Sequence, residues 1–230
     1  MKPSIEKQST SPQSGIGIDG KDAIYATLDI SHKRRAHAVI RDILKRHLAA
    51  NPQAKILDVG CADGMAGKLL GDGFDISGVE YLETLAQIAS KKYQRVVCAD
   101  LDAGPLPFKD GSFDIVVAGD VVEHCKHDRA VMRELFRVTH PGGICIISLP
   151  NIAQIQYRFR LLLGRFDYEN AGVMCDEHLH FYTACSMKRL IEAAGFEVLH
   201  LHGSGTLYSY LPIFKTMLCP QIVTEAVHPK

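Results

Sequence analysis

Four short apolar runs between residues 55 and 120 each close on or beside an acid: Ile56–Val59 with Asp58, Ile76–Val79 with Glu80, Val96–Ala99 with Asp100, and Ile115–Gly119 with Asp120. The acids recur about every twenty residues, the length of one strand and one crossover helix with short loops. Right-handed crossovers return the chain so that every strand end falls on one edge of a parallel sheet. Open α/β sheets bind their ligands at that edge. Four carboxylates there suit a ligand with ribose hydroxyls and ammonium groups, and they repel a phosphate-rich one.

The first run leads into a tight turn bracketed by Gly60 and Gly64, and Met65-Ala-Gly-Lys-Leu-Leu then reads as the start of a helix. A strand, a glycine turn and a helix let a nucleotide-like ligand lie against bare backbone at a helix N-terminus. A nicotinamide-dependent oxidoreductase would need glycines at relative positions one, three and six. Here those positions hold Gly60, Ala62 and Met65, so two of the three fail.

The 230 residues suffice for one α/β domain with a sizeable core. Lys and Arg number 26 and so do Asp and Glu, giving a formal net charge of zero. That balance argues against a nucleic-acid partner held by phosphate neutralisation. The seven cysteines contain no C-x-x-C pair and read as reduced thiols. No apolar run approaches the ~18 residues of a membrane span, and the N-terminus lacks a signal-peptide layout. Cytoplasmic location is the expectation.

Residues 1–21 are rich in Ser, Gly, Pro, Gln and Lys and are expected as a disordered tail, with one domain over 22–230. A helical stripe of Ala36, Val39, Ile40, Ile43, Leu44 and Leu48 predicts a helix from Ser31, as N-cap, to Ala50. Leu82–Lys92 and Arg129–Arg137 read as crossover helices. Pro141-Gly142-Gly143 is expected as a turn into a strand at Ile144–Leu149. Residues 151–185 break the βα pattern: a helix from Asn151 to Leu163 carries Ile155, Phe159, Leu162 and Leu163 on one face, and an irregular stretch follows. An insertion of that length reads as functional, a roof over an acceptor pocket. Ser186–Ala194 is the next helix, with Ser186 as its cap, then a strand at Phe196–Leu201 and a final antiparallel strand at Ile222–Val227. Leu207–Ile213 and Met217–Val223 carry apolar residues suited either to a homodimer contact or to the core.

Five segments together resemble the class I S-adenosylmethionine-dependent methyltransferases. Ile56-Leu-Asp-Val-Gly-Cys-Ala-Asp-Gly64 is similar to that family's glycine motif, Gly78-Val-Glu80 to its second-strand acid, and Cys98-Ala-Asp-Leu101 to its third-strand turn. Phe113 to His124 resembles its fourth strand, and Leu135 to Pro150 its helix, Pro-Gly-Gly turn and fifth strand. The likeness spans about residues 35–200 and departs at Ala62, where many members carry a third glycine; the extra methyl is expected to be tolerated. The run Gly164-Arg-Phe-Asp-Tyr168 with Glu177 to Thr183 is also similar to bacterial small-molecule methyltransferases of cell-surface sugar pathways. Leu149 to Arg165 resembles a methionine-biosynthesis type of methyltransferase-like protein.

The resemblance implies a doubly wound, mostly parallel seven-stranded Rossmann-like sheet with S-adenosylmethionine as cofactor and S-adenosylhomocysteine as product. Glu80 would accept from both ribose hydroxyls. Asp58 would orient the glycine loop or the ligand's amino group, Gly60 and Gly64 would allow close backbone approach, and Cys61 would contribute backbone only. Asp100 and the Leu101 amide would meet the adenine, Tyr81 would pack on ribose or adenine, and Asp120 would face the methionine or acceptor end. The expected reaction is methylation of a small molecule, at a hydroxyl of a sugar or other polar metabolite; the rival is a non-catalytic S-adenosylmethionine-binding or partner protein of the same fold.

Methyl transfer to a hydroxyl needs in-line alignment and removal of a proton. His178 is the first choice of general base and His124 the second, with His127 and His180 nearby; the competing reading of each is a histidine that bonds backbone to fix the insertion. Asp176, Glu177, His178 and His180 bring no second ligand pair at recognised spacing, so no metal is expected.

Overall fold

The computed structural model describes residues 5–7, 30–204 and 215–230. The tail expected over 1–21 lies outside them apart from Ile5–Lys7, as do Leu207–Ile213. The chain runs β1 (Ile5–Lys7), α1 (Ile30–Ala50), β2 (Lys55–Val59), α2 (Met65–Leu70), β3 (Asp75–Glu80), α3 (Glu83–Ala89), β4 (Arg95–Cys98), β5 (Phe113–Gly119), a 3-10 turn (Val122–His124), α4 (Asp128–Val138) and β6 (Thr139–Pro150). Then come α5 (Ile155–Leu162), α6 (Ala184–Ala193), β7 (Glu197–Ser204), α7 (Lys215–Leu218) and β8 (Gln221–Val227).

The strands form one sheet in the order β1-β4-β3-β2-β5-β6-β8-β7. Neighbours from β1 to β6 are parallel, and β8 runs antiparallel between β6 and β7. Strands β2 to β8 are the expected seven, and β1 adds an eighth at the edge.

Alternation along the strands makes the sheet doubly wound. Leu57, Val59, Val116, Ala118, Cys145 and Ile147 pack with Val131, Met132 and Leu135 of α4 and Met187 and Ile191 of α6. Ile56, Ile76, Val96, Ile115, Val117 and Ile146 go to the other face with Ile40, Ile43, Leu44 and Leu48 of α1 and Ala86 and Ala89 of α3. Successive side chains of a strand point to opposite sides, so runs buried on both faces carry no polar alternation. The stripe read from the sequence is the buried face of α1. Its last turn is also fastened to β8, where buried Glu225 accepts from Arg46 and from the His47 ring, both at 2.7 Å.

Three local expectations change. Helix α1 begins at Ile30, so Ser31 sits inside its first turn. Helix α6 is capped by Thr183, whose hydroxyl accepts from the Ser186 amide while the Ser186 hydroxyl receives the Thr183 amide. Ser186 is thus the N3 partner of a capping box. Pro141-Gly142-Gly143 form an excursion inside β6, whose register to β5 slips between Phe113 and Ile115. A Cβ at Gly143 would stand 2.8 Å from the carbonyl oxygens of Asp114 and His140, so glycine is needed there.

Candidate active site

The turn after β2 holds three consecutive alternate residues in the left-handed region: Gly60 at φ +67°, Ala62 at +47° and Gly64 at +92°. A Cβ on Gly60 would fall 2.6 Å from Val121 Cγ2, so the loop closes against the end of β5 only with glycine there. Ala62 departs from that pattern in its backbone rather than in its methyl. A left-handed alanine costs about 1–2 kcal/mol relative to glycine's free choice of φ. The Cys61 side chain does more than the backbone role expected of it. It is fully buried, its Sγ would meet a Cβ on Gly78 at 2.8 Å, and burial pushes its thiol pKa far up, so it packs and does not react.

Asp58 is fully buried in β2. Its Oδ2 accepts from the Ala66 amide at 3.0 Å and from the Tyr93 hydroxyl at 2.5 Å. Oδ1 is buried without a protein partner. Burial, reinforced by the charge of Glu80 and opposed by the Tyr93 and Ala66 hydrogen bonds, pushes its carboxyl up to about 6. An orphaned carboxylate oxygen of this kind suits a cationic ligand group.

Glu80 ends β3 one strand over, only 8 % exposed. One oxygen accepts from the Ala62 amide at 2.8 Å and the other from the Leu82 amide at 2.9 Å. A carboxylate offers about four lone-pair sites, so both oxygens keep capacity for the two hydroxyls of a ribose while they brace the glycine loop. Asp100 follows β4 and folds an Asx-turn, its Oδ1 accepting from the Asp102 amide at 2.9 Å. Leu101 packs against the core on the α4 side. Tyr81 is 51 % exposed at the same rim. Strands β4, β3, β2 and β5 are contiguous and parallel, so Asp100, Glu80, Asp58 and Asp120 stand in a row along one sheet edge, as the spacing predicts.

Asp120 is held in the left-handed region at φ +54°. Its Oδ1 accepts from the Ser148 hydroxyl at 2.8 Å and its Oδ2 from the Gln221 side-chain amide at 2.7 Å. The acid at the end of β5 is therefore tied to β6 and β8.

Beyond Asp120 the 3-10 turn carries Glu123 and His124. The amides of Leu179 and His180 donate to the Glu123 carbonyl at 2.9 and 3.2 Å, stitching the 151–185 insertion to this turn. The insertion is closed at its base, where Asn151 bridges Tyr182. His124 and His178 meet edge to face with centroids 4.8 Å apart. The His124 Nδ1 lies 3.1 Å from the Glu177 carbonyl and the His178 Nδ1 lies 3.0 Å from the Val173 carbonyl. A carbonyl only accepts, so each Nδ1 carries a proton, and it is Nε2 that holds the lone pair whenever the ring is neutral. His180 instead turns its Nε2 toward the Lys126 carbonyl at 3.4 Å, and His127 is the N-cap of α4. The structure thus brings together two of the four histidines singled out in the sequence. On α5 and its C-cap the face read from the sequence is turned outward: Phe159, Leu162 and the capping Leu163 are 60, 80 and 73 % exposed.

Two residues of this region escape a reading of the sequence. Tyr93 reaches Asp58 from the turn between α3 and β4, and nothing local marks it. Glu123 is fully buried; an acid inside the apolar run Val-Val-Glu-His was its only signal.

Comparison with known proteins bears on this geometry. Residues 31–201 match the family model described as "Methyltransferase domain". A protein of Mycolicibacterium smegmatis named "Probable S-adenosylmethionine-dependent methyltransferase" is 28% identical over 197 residues, covering 84% of this chain and 71% of that one. The ubiquinone biosynthesis O-methyltransferase of Psychrobacter arcticus is 23% identical, with 79% of each chain covered. Among solved structures, the magnesium protoporphyrin IX methyltransferase of Synechocystis PCC 6803, crystallised with bound SAH, superposes with a TM-score of 0.60 at 18% identity over 85% of this chain and 84% of that one.

Proposed function

The chain belongs to the methyltransferase-domain family, and from that premise we propose that it transfers a methyl group to a hydroxyl oxygen of a small molecule. It is an enzyme that uses S-adenosylmethionine. The observation that carries the finer reading is the His124–His178 pair, fixed through both Nδ1 atoms just past the end of β5. Oxygen acceptors must shed a proton during transfer, and neutral imidazole nitrogens are suited to that task. The name of the Psychrobacter relative, an O-methyltransferase, supports the same acceptor atom.

In this reading Glu80 accepts from the ribose hydroxyls, and Asp58 Oδ1 takes the cofactor's ammonium. Asp100 and the Leu101 amide read the adenine edge, Tyr81 covers the ring, and Gly60, Cys61 and Gly64 offer backbone. Asp120, braced by Ser148 and Gln221, shapes the acceptor end. The sulfonium is already an activated electrophile, so alignment supplies most of the acceleration.

A polar metabolite such as a sugar is the acceptor class that the 164–183 segment suggests. An acceptor with an apolar body is the second reading, favoured by the exposed Phe159, Leu162 and Leu163 on α5 and by a 27% identical relative of Lysinibacillus sphaericus named as a demethylmenaquinone methyltransferase. Release of S-adenosylhomocysteine would be followed over sugars, phenols, quinols and amines. Turnover with hydroxyl compounds, reduced about 100-fold in His178→Ala with cofactor affinity kept, is expected. Transfer only to amines or carbon acceptors overturns the oxygen assignment.

A further inference from the structure

We propose that Glu123, His124 and His178 form a three-ligand site for a divalent transition-metal ion of the Zn²⁺ class, open on one side to the acceptor oxygen. One donor atom from each of the three residues lies within 4.8 Å of the other two. Tetrahedral ligands at about 2.0–2.1 Å from zinc stand about 3.3 Å apart, so side-chain movements of no more than about 1.5 Å close the set.

The surroundings match what a metal site needs. Metal-binding histidines give their second ring nitrogen to a carbonyl or carboxylate, which fixes the tautomer and aims the other nitrogen. His124 and His178 both do this, through Glu177 and Val173. The fully buried Glu123 carboxylate supplies the anionic ligand. A carboxylate at that depth is costly unless positive charge accompanies it. The three residues come from two segments far apart in sequence, and the Leu179 and His180 amides lock those segments together through the Glu123 carbonyl. The expectation of no metal rested on residues 176–180 alone; the completing carboxylate comes from the other side, three residues after Asp120. Two imidazoles with one carboxylate select borderline ions such as Zn²⁺ over Mg²⁺ or Ca²⁺, which prefer all-oxygen shells.

Three protein ligands leave a coordination position for substrate, the arrangement of catalytic rather than structural zinc. This role rests on the oxygen-acceptor reading above. With the ion bound the two rings act as its ligands rather than as the base, and an acceptor hydroxyl bound there loses its proton to solvent more readily. The oxygen's electron pair then forms the new C–O bond while the C–S bond breaks and its pair returns to sulfur. The products are the methyl ether, neutral S-adenosylhomocysteine and one proton.

The test is a calorimetric titration of chelator-stripped full-length protein with Zn²⁺ alone, repeated on His178→Ala and Glu123→Gln. One equivalent is expected at a dissociation constant of about 1 µM or tighter, weakened about 100-fold or more in His178→Ala. The His178→Ala arm separates this site from Zn²⁺ taken by the chain's cysteines. It also stands if Glu123→Gln fails to fold, provided S-adenosylhomocysteine still binds. Absence of stoichiometric binding, or equal affinity in a folded His178→Ala, overturns the site. Transfer that survives complete stripping overturns the catalytic role while leaving oxygen methylation in place. Stoichiometric Zn²⁺ binding with transfer only to amines keeps the site and removes the oxygen-acceptor reading.

Discussion

The Tyr93 hydroxyl donates to Asp58 Oδ2 at 2.5 Å and accepts from the Gly67 amide at 3.2 Å. One buried side chain thereby joins the acid of β2 to the helix that follows the glycine loop. Tyr93→Phe keeps the ring and removes both bonds. It is expected to cost about 1–3 kcal/mol, a fall in melting temperature of several degrees for a chain of this size. A melting temperature within about 1 °C of the parent would show that water replaces the hydroxyl.

Asp58 is expected to give the proposed cofactor site a pH dependence. Its carboxyl sits at about 6 in the folded protein against an ordinary 3.8, chiefly because burial disfavours its charge. An acid raised in the folded state weighs against stability as it ionises. The penalty is absent below about pH 4, grows through the interval and is complete above about pH 6, at roughly 3 kcal/mol. An ammonium placed at Oδ1 favours the ionised form. Affinity for S-adenosylhomocysteine should therefore rise about tenfold per unit approaching pH 6 and then level, with Asp58→Asn flattening the curve. A flat parent profile between about pH 5 and 7 would remove Asp58 from the ligand's cationic end.

The proposed function gives Glu80 a second duty beside its bracing of the loop, and substitution separates the two. Glu80→Ala removes the acceptor of the Ala62 and Leu82 amides together with any ribose contact. Cofactor affinity should fall by at least ~1.5 kcal/mol, the scale of hydrogen bonds to a charged group. Glu80→Gln should retain most of the loop's thermal stability yet lose affinity. Unchanged binding of S-adenosylhomocysteine in both variants would reject the ribose role.

Ala62 at φ +47° tests the backbone account of the glycine loop. Ala62→Gly exchanges strain for unfolded-chain entropy, two terms of similar size, so stability should hold or rise slightly. Ala62→Val puts a branched side chain where φ is positive and should destabilise by about 1–2 kcal/mol or more. Thermal melts of the two variants that coincide would show that the loop relaxes around either residue.

Much of the scaffold was legible because its signals are local. The apolar runs, the glycines and the acids that close the runs all lie within a few residues of one another, and the crossover rule carries the four acids to one edge. What stayed hidden depends on distant pairing. The Tyr93–Asp58 bond spans 35 residues, and Glu123 and His124 meet His178 only when the insertion folds back over them. Ala62 reads as an ordinary small residue because its cost lies in a dihedral angle. The cap of α6 was misread by one turn: both Thr183 and Ser186 are good caps, and only their reciprocal bonds settle which is outermost. The excursion at Pro141–Gly143 reads as a turn before a strand until the close approach of Gly143 to Asp114 is seen.

The antiparallel β8 sits between β6 and β7, which have no ladder to each other. On a ribosome the far edge of β6 and the whole of β7 stay without a partner strand until Gln221–Val227 emerge, long after the acid-lined edge of the sheet has been synthesised. The half built from β2 to β5 can assemble early, whereas Asp120 waits for Gln221. A nascent chain of this enzyme would fasten the end of β5 last.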